Sequence, residues 1–327
     1  MSGGAAAAGS EKLYATRKAI VDGGAEMIFT GGRGWDALTH ERGEGERPFI
    51  VLLYGPPGSG KSSALARQVM TEGLGLNIDS AASISLDALM ENLVPFRRAT
   101  AALYRNAVQK GTEDPVVALA GKAGAVYLDY MGRTGNNSIN PENKQKKGGP
   151  LPDLLTVRNL SFEEAIRRNI DILFEMVISD GNKDKFGTEI FRRLEAAGKL
   201  DKYDVYVIYP WVRHDVLEDR LRARPLRHME EEEPYFRVVS PKMAGRFIDW
   251  HREYMKNFIF PRVEAENVIG YRLLGGGVAP NSVNAGLLGR IKKVIIFNNT
   301  AAAGGSRRGR RRLTKKRRGL KSKTRRR

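Results

Sequence analysis

The sequence predicts an α/β fold in which helices flank a mainly parallel sheet. Three short segments are dominated by apolar residues and lack the polar alternation of a half-exposed strand. They are residues 49–54 (FIVLLY), 170–174 (IDILF) and 203–209 (YDVYVIY). Helix-forming stretches separate these segments, and strands that alternate with helices favour parallel pairing. We therefore expect the three strands to share one sheet whose faces are covered by helices.

Weaker signals place further elements along the chain. Residues 63–72 are rich in helix formers and stop near Gly73. Ser161 with Glu164 fits a capping box, which would begin a helix at that point. The remaining predicted elements are strands at 83–86 and 293–297, helices at 188–197 and 214–224, the latter ended by Pro225, and a long helix opened by Ser240 and Pro241.

The chain of 327 residues is long enough for one large α/β domain with additional segments. We assign residues 1–46 to an N-terminal extension and residues 47–300 to the α/β domain. Residues 111–152 are rich in Gly, Asn, Lys and Pro, so we predict an insertion there, with a small strand at 125–128. Residues 301–327 form a separate last segment.

The composition excludes some classes of protein. With 41% hydrophobic and 28% charged residues, the chain can bury a real core. It contains no cysteine, which excludes a disulfide scaffold and a thiolate metal site. The N-terminus lacks the features of a secretory signal, and no apolar run approaches the roughly 20 residues of a membrane helix. We expect an intracellular protein without membrane contacts.

The positive charge is concentrated at the C-terminus. Residues 307–327 hold 14 Lys or Arg among 21 residues, without Asp or Glu. Removing these 14 charges from the net +18 leaves +4 for the rest of the chain. Such a segment cannot bury enough apolar surface to fold alone, so we expect a disordered basic tail. Non-specific nucleic-acid binding and nuclear targeting are both open interpretations of the tail, and the location is cytoplasmic or nuclear accordingly.

One motif carries a specific chemistry. Residues 55–62, GPPGSGKS, match G-x-x-x-x-G-K-[ST] and lie between a predicted strand and a predicted helix. Glycines let successive backbone amides approach phosphate oxygens beside a helix N-terminus, and the lysine adds a positive charge. The serine hydroxyl is suited to Mg²⁺, so the motif predicts ATP or GTP binding. The predicted nucleotide-binding residues are Gly55, Pro56, Pro57, Gly58, Ser59, Gly60, Lys61, Ser62 and Ser63.

From about Pro48 to Phe258 the sequence resembles the zeta toxin-like P-loop kinases. The resemblance depends on the order and spacing of five segments. They are GPPGSGKSS, ISLDALMENLVPFRR, NIDILFE, YDVYVIYPWVRHDVLEDRLRAR and FRVVSPKM. It implies a P-loop kinase-type fold and an enzyme that transfers the γ-phosphate of ATP to a hydroxyl.

The resemblance also implies roles for residues outside the loop. Asp87 matches the base that takes the proton of the acceptor hydroxyl, although an Asp between strand and helix is also a common N-cap. Glu175 matches an acidic position facing nucleotide and metal. Arg220 and Arg224, four residues apart on one predicted helix face, match cations that cover the triphosphate. Alternatives for these cations are Arg222, Arg227 and Arg237.

The sequence departs from the family pattern in three places. Asp87 is followed by Ala-Leu-Met where the family often has an arginine, and the nearest arginines are Arg97 and Arg98. Residues 111–152 and the acidic run 230–233 have no counterpart that we can assign. These departures leave the recognition of the acceptor open.

Three functions remain compatible with the sequence. The first is a kinase acting on a small hydroxyl-bearing molecule, for which the resemblance suggests a nucleotide sugar. The second is a polynucleotide kinase whose tail holds the polymer. The third is a nucleic-acid-associated NTPase, but no apolar strand ends in the Asp-Glu pair typical of such motors.

Overall fold

A six-stranded sheet forms the centre of the protein. The computed structural model of the chain describes residues 16–109, 115–131, 151–178, 186–230, 238–275 and 287–300. The sheet order is β2-β3-β1-β4-β6-β5, and all five neighbouring pairs are parallel. The strands are β1 Phe49–Tyr54, β2 Ala82–Ile84, β3 Ile172–Met176, β4 Asp204–Trp211, β5 Val268–Ile269 and β6 Ile291–Asn298.

Helices connect the strands and cover both faces of the sheet. Short π-helical turns extend some of them, at 20–24, 69–73 and 255–259. The α-helices are α1 Arg17–Ala19, α2 Ala25–Phe29, α3 Ala64–Gln68, α4 Leu86–Glu91, α5 Val94–Gln109, α6 Pro115–Met131, α7 Leu154–Arg167, α8 Phe186–Ala196, α9 His214–Glu230 and α10 Ala244–Tyr254. This is the predicted α/β fold, a parallel sheet flanked by helices, with the glycine-rich segment between β1 and α3.

Strand β1 is buried at every position, as its unbroken apolar sequence predicts. Because side chains alternate along a strand, its residues divide between two core clusters. Ile50, Leu52 and Tyr54 belong to the larger cluster on one face of the sheet. Phe49, Val51 and Leu53 pack with Met70 on the other face.

The described part of the N-terminal segment packs on this same core. Ile20, Phe29, Trp35 and Leu38 are buried in the larger cluster. Residues 16–46 therefore contribute to the same hydrophobic core as strand β1.

Parallel pairing brings the carboxyl ends of the strands to one edge. Leu53 of β1 lies opposite Glu175 of β3 on one side and Ile208 of β4 on the other. Ile84 of β2 lies opposite Phe174. The residues that follow these strands therefore surround the glycine-rich segment, as is usual for ligand sites of open α/β sheets.

The predicted strand at 125–128 is wrong, because these residues lie in helix α6. Val116, Leu119, Ala123 and Val126 are all buried, and they recur every three or four residues. This spacing places them on one side of a helix. The spacing of the buried residues over the whole helix therefore predicts the structure correctly, whereas the short apolar run 125–128 does not.

The predicted start of one helix and the predicted end of another are also wrong. Helix α7 begins at Leu154, where the side chain of Asp153 accepts a hydrogen bond from the amide of Thr156. Ser161 lies inside this helix, and its hydroxyl donates to the carbonyl of the preceding turn. Helix α9 continues past Pro225 to Glu230. A proline removes one backbone hydrogen bond, which can kink a helix without ending it.

Several predictions fall outside the described residues. They include the tail 301–327, Arg237, the acidic residues 231–233, and residues 111–114 and 132–150 of the predicted insertion. Within the described part of the chain, no helix combines the length and apolar character needed to cross a bilayer.

Candidate active site

The glycine-rich loop, residues 55–62, connects β1 to α3. The helix begins at Ala64, and the hydroxyl of Ser63 accepts a hydrogen bond from the amide of Ala66 at 3.2 Å. Gly60 has a φ of 90°, a conformation that favours glycine. A Cβ atom at Gly60 would lie 2.1 Å from the Nδ2 atom of Asn299, so a side chain has no space there. The loop therefore requires glycine at this position for two independent reasons.

Several loop amides are available to a ligand. The amide of Ser59 donates to the carbonyl of Pro56 at 3.1 Å, and that of Ser63 donates to the carbonyl of Gly60 at 3.0 Å. The amides of Gly58, Gly60, Lys61 and Ser62 donate to no acceptor among the described residues. The hydroxyl of Ser59 is buried and likewise has no partner there. Unpaired donors gathered in one loop suit an anion with several oxygens, as a phosphate chain has.

The lysine of the loop is paired with an acid on the neighbouring strand. The Nζ atom of Lys61 lies 3.1 Å from the Oε1 atom of Glu175 and donates to the carbonyls of Gly55 at 2.9 Å and Pro56 at 3.2 Å. The side chain of Lys61 is 5% exposed and that of Glu175 is 30% exposed. A buried ammonium needs such partners, so these contacts keep a positive charge inside the loop.

Glu175 also contacts the end of β2. The hydroxyl of Ser85 donates to the Oε2 atom of Glu175 at 2.7 Å. Ser85 is buried and occupies the N-cap position of helix α4, although its side chain makes no cap hydrogen bond. The two oxygens of Glu175 thus join the loop after β1 to the residue after β2.

Asp87 lies in the first turn of α4, directly beyond this contact. It is half-buried, and a carboxylate in the first turn interacts favourably with the helix dipole. The N-cap position belongs to Ser85 rather than to Asp87. The role of Asp87 as a base stays a prediction.

Oxygen groups suited to a magnesium ion stand at the same edge. Ser62 is exposed beside Lys61, and Glu175 supplies carboxylate oxygens. Hydroxyl and carboxylate oxygens are the ligand types that Mg²⁺ prefers, so these residues fit the ion chemically. Among the described residues, no group of three or more His, Asp or Glu gathers as a metal cage. A magnesium site here would be completed by phosphate oxygens and water, as is common at nucleotide sites.

Of the predicted cations, Arg220 contacts the loop. Its Nη1 atom lies 3.5 Å from the carbonyl oxygens of Gly58 and Ser59, and its Nη2 atom donates to the carbonyl of Asn299 at 2.7 Å. Burial lowers the pKa of the Arg220 guanidinium from its ordinary value, but an arginine keeps its charge in proteins. A positive charge therefore lies beside the carbonyl groups of the loop.

The other predicted arginines have different partners. The Nη2 atom of Arg224 lies 3.5 Å from Glu91 Oε1, which links helix α9 to helix α4. Arg222 pairs with Glu218 at 2.9 Å within its own helix. The side chain of Arg227 and all of Arg237 lie outside the described residues.

The structure adds residues that the sequence did not identify. Asn299, 8% exposed, follows β6, and its side-chain amide donates to the carbonyl of Ser59 at 2.6 Å. Its neighbours in the sequence form no motif, so nothing local indicates this contact. We use the term brace for four residues from other elements. Three of them contact the loop directly, and Ser85 does so through Glu175. The brace is Ser85, Glu175, Arg220 and Asn299.

A buried histidine fixes the chain beyond β3. The Nδ1 atom of His251 bonds to the carbonyl of Phe247 at 2.7 Å, and its Nε2 atom accepts from the amide of Ile178 at 3.0 Å. Burial lowers the pKa of His251 to about 3, so the ring is neutral at pH 7. A neutral ring can donate with one nitrogen and accept with the other, which this arrangement requires.

No family model matches the chain, and no curated protein matches it significantly. A solved chain from the PezAT chromosomal toxin-antitoxin system of Streptococcus pneumoniae is similar with a TM-score of 0.36 and 11% sequence identity. The likeness covers 67% of this chain and 66% of that chain, slightly less than two thirds of its length. At these values the likeness identifies neither an activity nor a substrate.

Proposed function

We propose that the protein is a kinase that transfers the γ-phosphate of ATP to a hydroxyl of a small molecule. The observation that carries this proposal is the loop 55–62, with four unpaired amides and the buried ammonium of Lys61. These groups match the negative charge and the oxygen atoms of a phosphate chain. GTP has the same phosphates and is the alternative donor.

The chain supplies a group for each requirement of phosphoryl transfer. The loop amides and Lys61 would hold the β- and γ-phosphates, and Arg220 would balance charge that spreads over the equatorial oxygens. Ser62 and Glu175 would hold Mg²⁺, which supplies positive charge between the same phosphates.

Asp87 is the proposed base. It lies after β2 at the edge where the carboxyl ends of the strands meet. It would take the proton of the acceptor hydroxyl as the acceptor oxygen bonds to the γ-phosphorus. The bond from that phosphorus to the bridging oxygen breaks in the same step, and ADP leaves with the electron pair.

The acceptor is proposed only as a class. The resemblance to zeta toxin-like kinases favours a nucleotide sugar, whereas the sequence departs from the family pattern directly after Asp87.

A second candidate function is phosphorylation of a nucleic-acid end or nucleic-acid-associated hydrolysis. The 14 cations among residues 307–327 favour it, because cations displace counterions from a phosphate backbone.

One experiment tests the first proposal. The protein is incubated with ATP, Mg²⁺ and a metabolite extract, and products are identified by mass spectrometry. A phosphorylated organic product that is absent with Lys61→Ala and with Asp87→Asn supports the kinase. Formation of inorganic phosphate alone, with every acceptor unchanged, contradicts it.

Ending the chain at Ala303 separates the two candidates. For a small-molecule kinase, this truncation abolishes nucleic-acid binding and leaves kcat and KM for the acceptor unchanged. For a polynucleotide kinase, the same truncation raises KM for polymer substrates steeply. Full nucleic-acid binding by the truncated protein would move the polymer-binding surface to the α/β domain.

A further inference from the structure

Asn299 joins three separate elements at the loop. Its backbone amide donates to the carbonyl of Trp211 at 2.7 Å, which ties it to the end of β4. Its backbone carbonyl accepts from Arg220 of helix α9 at 2.7 Å, and its side-chain amide donates to the carbonyl of Ser59 at 2.6 Å. The residue thus uses two backbone groups and one side-chain group at the same point.

From this arrangement we infer that Asn299 is a positioning residue for the nucleotide. It holds the peptide between Ser59 and Gly60 in the orientation that binds phosphate, and it keeps Arg220 beside that peptide. This inference rests on the proposed function of the loop.

Peptide geometry explains how a contact outside the loop acts inside it. The peptide unit is planar and trans, so the carbonyl of Ser59 and the amide of Gly60 point in opposite directions. Asn299 holds the carbonyl on its own side, and the amide of Gly60 therefore points to the opposite side. That amide donates to no acceptor among the described residues, as expected of a group that serves a ligand.

The close approach also explains why the partner is an asparagine. The Nδ2 atom of Asn299 can donate to the carbonyl of Ser59, whereas either carboxylate oxygen of an aspartate would repel that carbonyl oxygen. An aspartate would in addition place a negative charge beside the phosphates. The absence of a side chain at Gly60 allows the contact, because a Cβ there would lie 2.1 Å from Nδ2.

The neighbouring asparagine provides a matched control. Asn298 is exposed, and its Oδ1 atom accepts from the backbone amide of Thr300 at 2.9 Å. It has the same side chain at the end of the same strand but makes no contact with the loop. Asn298→Ala therefore measures the effect of altering the strand end alone.

The test measures ATP affinity by calorimetry, with Mg²⁺ present, for the full chain and three variants. We expect Asn299→Ala to weaken ATP binding by about 3- to 10-fold, the value of one hydrogen bond. We expect Asn299→Asp to weaken it by about 10-fold or more, because a charge is added as well. Asn298→Ala should bind ATP as the unchanged chain does, and adenosine affinity should not respond to any of the variants.

The outcomes separate this inference from the proposed function. If the unchanged chain binds ATP and Asn299→Ala binds it equally well, the inference is wrong and the loop function stands. If Asn298→Ala weakens binding as much as Asn299→Ala does, the effect belongs to the strand end and the inference is also wrong. If the unchanged chain and the variants bind ATP with affinities in the expected order, but the unchanged chain transfers no phosphate, the kinase proposal fails and the inference stands.

A double-mutant cycle tests the link to Arg220. Arg220 contacts the backbone carbonyl of Asn299, which Asn299→Ala retains, but both side chains approach the carbonyl of Ser59. The effects of Asn299→Ala and Arg220→Ala on kcat/KM should therefore be less than multiplicative. Full multiplicativity would overturn the coupling between the two residues. KM and kcat are recorded separately, because a purely structural loss would lower the fraction of folded protein and leave KM unchanged.

Discussion

The loop 55–62 and the brace that surrounds it are built in different ways. The loop is eight contiguous residues, and four of its backbone amides donate to no acceptor among the described residues. The brace comes from strand β3 and from segments that follow β2, β4 and β6, and its polar groups are engaged with partners in the protein. The comparison indicates a division of roles, in which the loop binds phosphate and the brace sets its shape and charge. Changes within the loop should therefore affect ligand binding and turnover more than changes in the brace.

The largest effect is expected for Lys61→Ala. Removing this cation should lower kcat/KM by about 10³-fold or more, in the range seen when phosphoryl transfer loses a cation. Lys292→Ala is the control, because Lys292 pairs with Asp204 at 2.7 Å at the amino end of the sheet. Steady-state kinetics and thermal unfolding are measured together, to separate loss of function from loss of fold. Unchanged turnover in Lys61→Ala would contradict the assignment of the loop 55–62 as the phosphate-binding site.

Asp87→Asn tests whether the chemistry extends beyond the loop and brace. Transfer should fall by about 10²-fold or more, since general base catalysis contributes about 10² to 10⁴, while ATP affinity is preserved. Asp79→Asn is a suitable control, because Asp79 is an exposed partner of Arg67. A fall in ATP affinity with an unchanged chemical step would make Asp87 a metal ligand or a structural residue.

Two arginines of helix α9 differ in their contacts, because Arg220 belongs to the brace and Arg224 lies outside it. Arg220→Ala should lower kcat by about 10- to 100-fold and raise KM for ATP less, as expected of a contact made chiefly in the transition state. Arg224→Ala should have the same direction and a smaller size, because Arg224 contacts Glu91 and not the loop. Kinetics with ATP varied at saturating acceptor give both values. An effect on KM alone would make these arginines ordinary binding residues.

At the contact between the loop and the brace, the expected effect is on stability. Gly60→Ala should reduce the free energy of unfolding by about 2 to 4 kcal/mol, from the positive φ and from the clash with Asn299. Gly75→Ala is the matched control, since Gly75 has a φ of 70° with open space around it, and should lose only about 1 to 2 kcal/mol. Urea unfolding measures both. Equal losses would mean that the contact between Gly60 and Asn299 imposes no additional constraint.

The sequence predicted the parts of the fold whose signals are local. The apolar strands β1, β3 and β4 and the glycine-rich loop each depend on a few contiguous residues. The errors arose where a longer pattern outweighs a short one. The short apolar run 125–128 predicted a strand, whereas the buried residues of helix α6 are spaced by three or four and fit a helical period.

The brace was predicted only in part, and the reason is physical. Glu175 and Arg220 were identified through a resemblance, whereas Ser85 and Asn299 were not identified. Asn299 and Ser59 are 240 residues apart in sequence, and only the parallel register of β4 and β6 brings them together. A contact that depends on the whole sheet leaves no local pattern.

Binding of a phosphate chain by the loop 55–62 is tested most directly by measuring affinity for ligands that carry an increasing number of phosphates. Adenosine, AMP, ADP and ATP are titrated calorimetrically with Mg²⁺ into the unchanged chain and into Lys61→Ala at one salt concentration. Because both proteins carry the same basic tail, the difference between them isolates the loop. We predict that affinity rises steeply from AMP to ADP and ATP, and that this rise is lost in Lys61→Ala. Equal affinity for adenosine and ATP, or an equal rise in both proteins, would contradict the account.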